Sequence, residues 1–179
     1  MNSIGDASID DIFFTPGPCQ ESAALGQSCT FIDFTQCGFT QNTTISSLTW
    51  KTYSGGNQLL RSAPVPYDHT TGTSRGSYVY IDLDNQGENL NGRLYSPPYS
   101  LTMNQSYCVE FYYILLGGNN TFNVYTESAT GTRRTIFTRN YDHGLLWNKG
   151  GTTITGSDQS RIFFEIVTGY LRQGNESKD

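Results

Sequence analysis

With 179 residues the chain has room for one ordinary domain, large enough that disulfides would reinforce a core rather than replace one. Charged residues make up only 15% while aromatic residues reach 13%, the reverse of a disordered acidic chain. The net charge of −5 argues against a nucleic-acid partner, and no apolar run approaches the ~20 residues that span a bilayer, so no membrane insertion by this segment is expected.

The hydrophobic period is two rather than 3.6. Residues 9–14 form a first short apolar run. Residues 20–28 are small, polar and without strand character, and read as a linker. Residues 29–34 and 48–53 are weaker strand candidates. In 77–83, Val79, Ile81 and Leu83 alternate with Tyr78, Tyr80 and Asp82, the mark of a strand with two different faces. After 92–96 come two long aromatic and β-branched runs, 106–116 and 121–128. Gly117, Gly118, Asn119 and Asn120 between them read as a hairpin connection. Residues 129–132 read the same way ahead of 133–139, and 145–154 and 161–167 complete the series. No window offers an amphipathic helix of about ten residues. About ten strands with Gly, Asn and Pro punctuation predict an all-β, two-sheet antiparallel sandwich, with a closed barrel as the alternative.

Four cysteines and two histidines narrow the chemistry. Neither Cys-x-x-Cys nor His-x-x-x-His occurs, which argues against a structural zinc site. Acceptor patterns for N-glycosylation begin at Asn42, Asn104, Asn119 and Asn175. Beside an even cysteine count they point to an extracellular or cell-surface glycoprotein in an oxidising compartment. His69 follows Asp68 and His143 follows Asp142, but adjacency points such side chains apart, and no Gly-x-Ser-x-Gly elbow is present. Carboxylate pairs such as Asp10 with Asp11, or Asp82 with Asp84, read as solvated or structural rather than glycoside-cleaving. No enzymatic activity is expected.

A resemblance sharpens this picture. Cys29-Thr30-Phe31, Cys37-Gly38-Phe39, Trp50, Asp68-His69-Thr70-Thr71-Gly72 and Gly76-Ser77-Tyr78-Val79-Tyr80 stand in order. Arg93-Leu94-Tyr95-Ser96-Pro97, Cys108-Val109-Glu110-Phe111-Tyr112-Tyr113, Trp147 and Phe163-Phe164-Glu165-Ile166-Val167 follow. The set resembles the MAM domain, the extracellular module of meprins, neuropilins and certain receptor tyrosine phosphatases. Ile32 departs from it, where the family usually carries an acidic residue. Asp6 through Cys19 resembles the closing strand of such a domain, placed in front. The resemblance therefore implies a chain cut out of phase from tandem MAM repeats: 1–19 a closing strand, 20–28 a linker, and 29–179 a body without its own last strand.

That resemblance implies a jelly-roll-like sandwich with disulfides Cys29–Cys37 and Cys19–Cys108. The closing strand, 8–15, would enter its own sandwich or a neighbouring one, with Ile12 and Phe14 on one side and Ile9, Asp11 and Phe13 on the other. The implied function is a non-catalytic adhesion or assembly module, with neighbouring repeats, copies of itself, or another extracellular protein or glycan as partner. A carbohydrate-binding jelly roll is the alternative. No cofactor is required. Asp33, Asp68 and one of Asp10 and Asp11 stand at motif positions that could converge near one end of the sandwich on a structural Ca²⁺.

Overall fold

The computed structural model describes residues 5–19, 27–32, 37–55, 64–117, 119–156 and 159–169, and among them the period-two pattern resolves into strands with no helix. There are ten: β1 (Asp6–Pro16), β2 (Gln27–Cys29), β3 (Lys51–Ser54), β4 (Ser77–Asp82), β5 (Asn91–Tyr95), β6 (Ser106–Leu115), β7 (Thr121–Ser128), β8 (Arg133–Arg139), β9 (Asn148–Thr155) and β10 (Gln159–Val167). They form a two-sheet sandwich. One sheet is six-stranded, ordered β3-β4-β1-β6-β9 with β2 added beside β1; the other is four-stranded, ordered β5-β10-β7-β8. Every strand pairing among the described residues is antiparallel.

β1 sits inside the larger sheet, paired along one edge with β6 and along the other first with β4 and then with β2. The changeover requires a bulge between Asp10 and Phe13, and strict alternation fails there. Ile9 and Ile12 consequently both enter the main core, with Ala7 and Phe14, instead of facing opposite sides. Phe14 lies between Tyr99 and Tyr107, with ring centroids 4.1 and 5.4 Å away. The linker reading also needs correction at its end. Gln27 and Ser28 pair with Phe14 and Phe13 as part of β2, since β1 beyond its bulge has an edge that β4 does not reach. Residues 20–26 lie outside those described.

The 117–120 connection is not a hairpin: β6 belongs to the larger sheet and β7 to the smaller. Both strands carry large aromatic residues on one face, and the stable arrangement sets those faces against each other across the core. Phe111 of β6 thus meets Phe122 of β7 and Phe164 of β10 edge-to-face, at 5.7 and 5.3 Å. Gly150 of β9 makes room for this cluster, because a Cβ there would stand 2.3 Å from the Phe111 ring. The 129–132 turn is a true hairpin joining β7 to β8. β9 begins at Asn148, later than the apolar run suggested, and Leu145 and Leu146 are exposed.

At β1 and β4 the larger sheet is buried on both faces. Val79 and Ile81 of β4 face the main core, while Tyr78 and Tyr80 join Tyr53, Val65 and Ile114 in a second apolar cluster on the outer side. Residues 64–76 cover that cluster in part, and the Tyr78 hydroxyl donates to the Val65 carbonyl at 2.5 Å. Two disulfides fix the margins: Cys29–Cys37, and Cys19–Cys108, which closes a separation of 89 residues. A loop that long corresponds to roughly 4–5 kcal/mol in a chain-entropy account.

Phe14→Ala should cost about 3–5 kcal/mol of stability, because the two flanking tyrosines cannot close a phenyl-sized void. Urea unfolding followed by fluorescence measures it. Removal of residues 1–19 should do worse, producing aggregation through the unpaired edges of β4 and β6. A monodisperse truncated chain of normal stability would show β1 to be dispensable.

Candidate functional site

The bulge in β1 creates the most unusual polar cluster of the described molecule. Asp11 takes a left-handed backbone, φ 46°, which aspartate tolerates better than most residues. Asp10 and Asp11 are both directed at the loop of residues 64–76. Asp10 is fully buried; its Oδ1 accepts the Asp11 N–H at 2.8 Å and its Oδ2 accepts the His69 N–H at 2.9 Å. Asp11 Oδ1 accepts the Thr70 hydroxyl at 2.7 Å, and Oδ2 lies 2.6 Å from His69 Nδ1. An ionised carboxylate only accepts, so Nδ1 carries the proton of that bond. The imidazole lies flat on Tyr112, centroids 3.4 Å apart, with the Trp147 ring edge-on at 6.3 Å.

Asp68 organises the loop itself. Its Oδ1 accepts the Thr71 hydroxyl at 2.6 Å and the Thr73 N–H at 3.2 Å, and its Oδ2 accepts the Thr71 N–H at 2.9 Å. Gly76 is needed beneath it, since a Cβ there would stand 1.9 Å from the Asp68 Cγ. Asp10, Asp11 and Asp68 are thus drawn to one loop, on the outer face of the larger sheet at mid-strand rather than at an end of the sandwich. Asp33 lies outside the described residues. Both oxygens of each of the three carboxylates accept a protein donor. Among the described residues no group of three or more His, Cys, Asp or Glu is arranged to hold a metal ion.

A second carboxylate stands at the start of β1. Asp6 pairs across to Asp82 in β4, and Asp84 accepts the Gly5 N–H at 2.8 Å. Asp6 is only 6% exposed, and its Oδ1 has no hydrogen-bond partner. Burial, then the charges of Asp84 and Asp82, push its carboxyl up to about 7, with Lys51 working the other way. Burial and the neighbouring Asp11 likewise push the Asp10 carboxyl up to about 7, against the hydrogen bonds it accepts from backbone N–H groups.

The remaining candidates divide by exposure. Asn42, Asn104 and Asn119 are exposed, and Asn175 lies outside the described residues. Tyr78, Tyr80, Phe111, Phe163 and Phe164 are fully buried, whereas Tyr112 and Trp147 remain partly open beside His69. All four cysteines are in disulfides, and no recorded hydrogen bond joins a serine or cysteine to either histidine ring among the described residues. Sequence reasoning set Asp68 aside as a partner of its neighbour His69, and did not see Asp11 in that role because a bulge cannot be read from alternation. Asp6 was missed too, although its place beside Asp82 and Asp84 follows once the β1–β4 register is known.

A family model described as "MAM domain, meprin/A5/mu" matches residues 29–177. The chain belongs to the MAM family. MAM domain-containing protein 2 of Mus musculus is 28% identical over 159 residues, covering 88% of this chain and 22% of the relative. MAM domain-containing glycosylphosphatidylinositol anchor protein 1 of Rattus norvegicus is 29% identical over 175 residues, covering 93% of this chain and 18% of the relative. This MAM chain therefore spans about a fifth of the length of these relatives. The matched span begins after β1, so the strand that supplies Asp10 and Asp11 stands outside it.

The raised carboxyls give the MAM sandwich a pH signature. A folded-state value above the unfolded one means that the fold prefers the protonated acid. The stabilisation is present at low pH and is lost as pH rises through about 7. Glu127 acts oppositely: burial resists its ionisation, but Arg133 and Arg161 outweigh burial and hold its carboxyl below the usual value, so its contribution is lost only in acid. Urea midpoints should therefore rise as pH is lowered from about 8 to about 5. Asp6→Asn should flatten that rise; an unchanged profile would remove Asp6 as a source.

Proposed function

We propose that the chain is a non-catalytic extracellular association module, one bead of a tandem-repeat glycoprotein. Its partners are neighbouring MAM repeats, copies of itself or another extracellular protein. The observation that carries the reading is the covalent stapling: every cysteine of an all-β sandwich is held in a disulfide, a state that persists in oxidising compartments. Family membership supports it, as do the exposed acceptor asparagines Asn42, Asn104 and Asn119.

The mode of association we favour is strand complementation. β1 is hydrogen-bonded on both edges and carries four core residues, Ala7, Ile9, Ile12 and Phe14. A sandwich that lacks this strand offers an edge and an apolar trough to the same strand of a neighbour. Extracellular placement and the repeat context are parts of the same proposal.

Beads coated with the whole chain should cluster, and light scattering should show association that increases with concentration. A strict monomer that leaves beads dispersed, with no added protein partner able to bridge them, would overturn the reading. Protein secreted from cultured cells should carry glycans on at least two of Asn42, Asn104, Asn119 and Asn175, read as a mass loss on enzymatic deglycosylation.

A further inference from the structure

The outer face of the four-stranded sheet is built in rows that run across the strands. Arg161 of β10, Glu127 of β7 and Arg133 of β8 stand directly opposite one another in register. The next row is Tyr95 of β5, Phe163 of β10 and Tyr125 of β7, with ring centroids 5.0 and 4.7 Å apart. In the third, Arg93 of β5 faces Glu165 of β10, Nε to Oε1 at 2.6 Å. The guanidiniums of the first row fold over the second. Arg161 lies 4.5 Å from the Tyr95 centroid and Arg133 lies 4.9 Å from the Phe163 centroid. Both also bond Glu127, Arg133 through Nε and Arg161 through Nε and Nη2.

We propose that this face binds an anionic polysaccharide, with Arg133 and Arg161 as its anion-holding residues and Arg93, on the edge strand β5, at its rim. Each guanidinium has five N–H donors in a planar fork, so the carboxylate bonds leave donors over for an oxyanion. The Arg133 and Arg161 side chains remain 38% and 41% exposed. Ring stacking and Glu127 have already fixed their rotamers, which removes most of the ordering cost that free arginines would meet on binding an anion. The rows are net positive on a chain whose net charge is −5, so an anion finds attraction here and repulsion over the rest of the molecule.

The polar character of the face selects a hydrated chain over a protein. Protein hot spots need an apolar anchor that can be desolvated, and Phe163 and Tyr95 are 1% and 3% exposed beneath the guanidiniums. What the face presents between its arginines is hydroxyl-bearing, namely Thr135, Thr138 and the half-buried Tyr125. The exposed apolar residues Tyr141, Leu145 and Leu146 are in the β8–β9 connection instead. Asn104 and Asn119 lie in connections that pair with none of these rows, whereas Asn42 lies in the segment beside β5, between Thr40, which pairs with Tyr95, and Ser46, which accepts the Arg93 N–H.

The test is binding of the full chain to immobilised heparin, with soluble heparin, unsulfated heparosan and poly-glutamate as competitors. Expected are a strong loss of affinity with salt and competition by heparosan that is weaker than competition by soluble heparin, since heparosan carries fewer anionic groups. Arg93→Gln, on the edge strand β5, removes one rim contact and should weaken binding roughly three- to fivefold. The double variant Arg133→Lys with Arg161→Lys keeps the charge but loses fork and stacking, and should weaken it at least tenfold, on the order of two rim contacts. Circular dichroism on the variants confirms the fold. Absence of heparin binding at low salt, or binding indifferent to all three substitutions, would overturn the proposal; displacement by poly-glutamate would assign the face to an acidic protein and overturn it as well. Bead clustering is read without polysaccharide, so the association reading stands or falls separately.

Discussion

β1 must be hydrogen-bonded on two edges and packed on two faces, and this requirement shapes most of the rest of the molecule. On its inner face it supplies core residues on both sides of the bulge. On its outer face it supplies Ser8, Asp10 and Asp11, polar groups that need cover. The loop of residues 64–76 provides that cover and presents the His69 N–H and Thr70 hydroxyl to the two carboxylates. Without the bulge, the strand could not change partner from β4 to β2, and Asp11 would be aimed away from the loop that neutralises it.

The two sheets handle buried charge in opposite ways. In the larger sheet Asp10 is bonded by uncharged N–H donors and the Asp6 Oδ1 has no hydrogen-bond partner, so burial raises both values. In the smaller sheet Glu165 pairs with Arg93, and Glu127 has two arginines that outweigh its burial and hold its carboxyl below the usual value. The contrast follows from register. Cross-strand neighbours on β10, β7 and β8 place opposite charges side by side, whereas β1 and β4 place Asp6 opposite Asp82. A like pair at a strand start needs the protonated form, or Lys51 nearby, to be tolerated.

Much of the architecture was legible because alternation survives in β4, β6, β7 and β10, where one face is always core. β7 and β8 were placed at their observed bounds from residue types alone. What could not be read has a physical cause in each instance. The 117–120 segment has hairpin composition, but aromatic faces opposed across a core decide its path, and composition carries no record of that. Leu145 and Leu146 extend the apolar run into a loop that sequence patterning assigns to a strand. In the site, the resemblance implied that Asp33, Asp68 and one of Asp10 and Asp11 could converge; Asp10, Asp11 and Asp68 do share one loop, while Asp33 lies outside the described residues. The satisfaction of those three carboxylates by Thr70, Thr71 and His69 was not legible, because it rests on a single positive φ. The arginine rows were hidden for a different reason: Arg133 and Arg161 are 28 positions apart in the numbering and become neighbours only through β7.

The Cys19–Cys108 bond bears directly on how strand complementation would have to proceed. Once formed, it ties the residue just beyond β1 to β6, the strand that pairs with most of β1's length. A strand covalently joined to its own sheet cannot be given to a neighbour by simple unfolding of one edge. Exchange between copies must then be decided before oxidation, while β1 is still searching, or it must carry the disulfide with it as an intermolecular bond. Before oxidation the choice is one of effective concentration. A short linker keeps β1 near its own vacant seat at an effective concentration on the order of millimolar, so exchange prevails only where repeats are themselves held together in an array. Oxidation then makes whichever pairing formed first permanent. Under the strand-complementation proposal, the disulfide would serve, besides reinforcing the core, as a record of which sandwich each β1 entered.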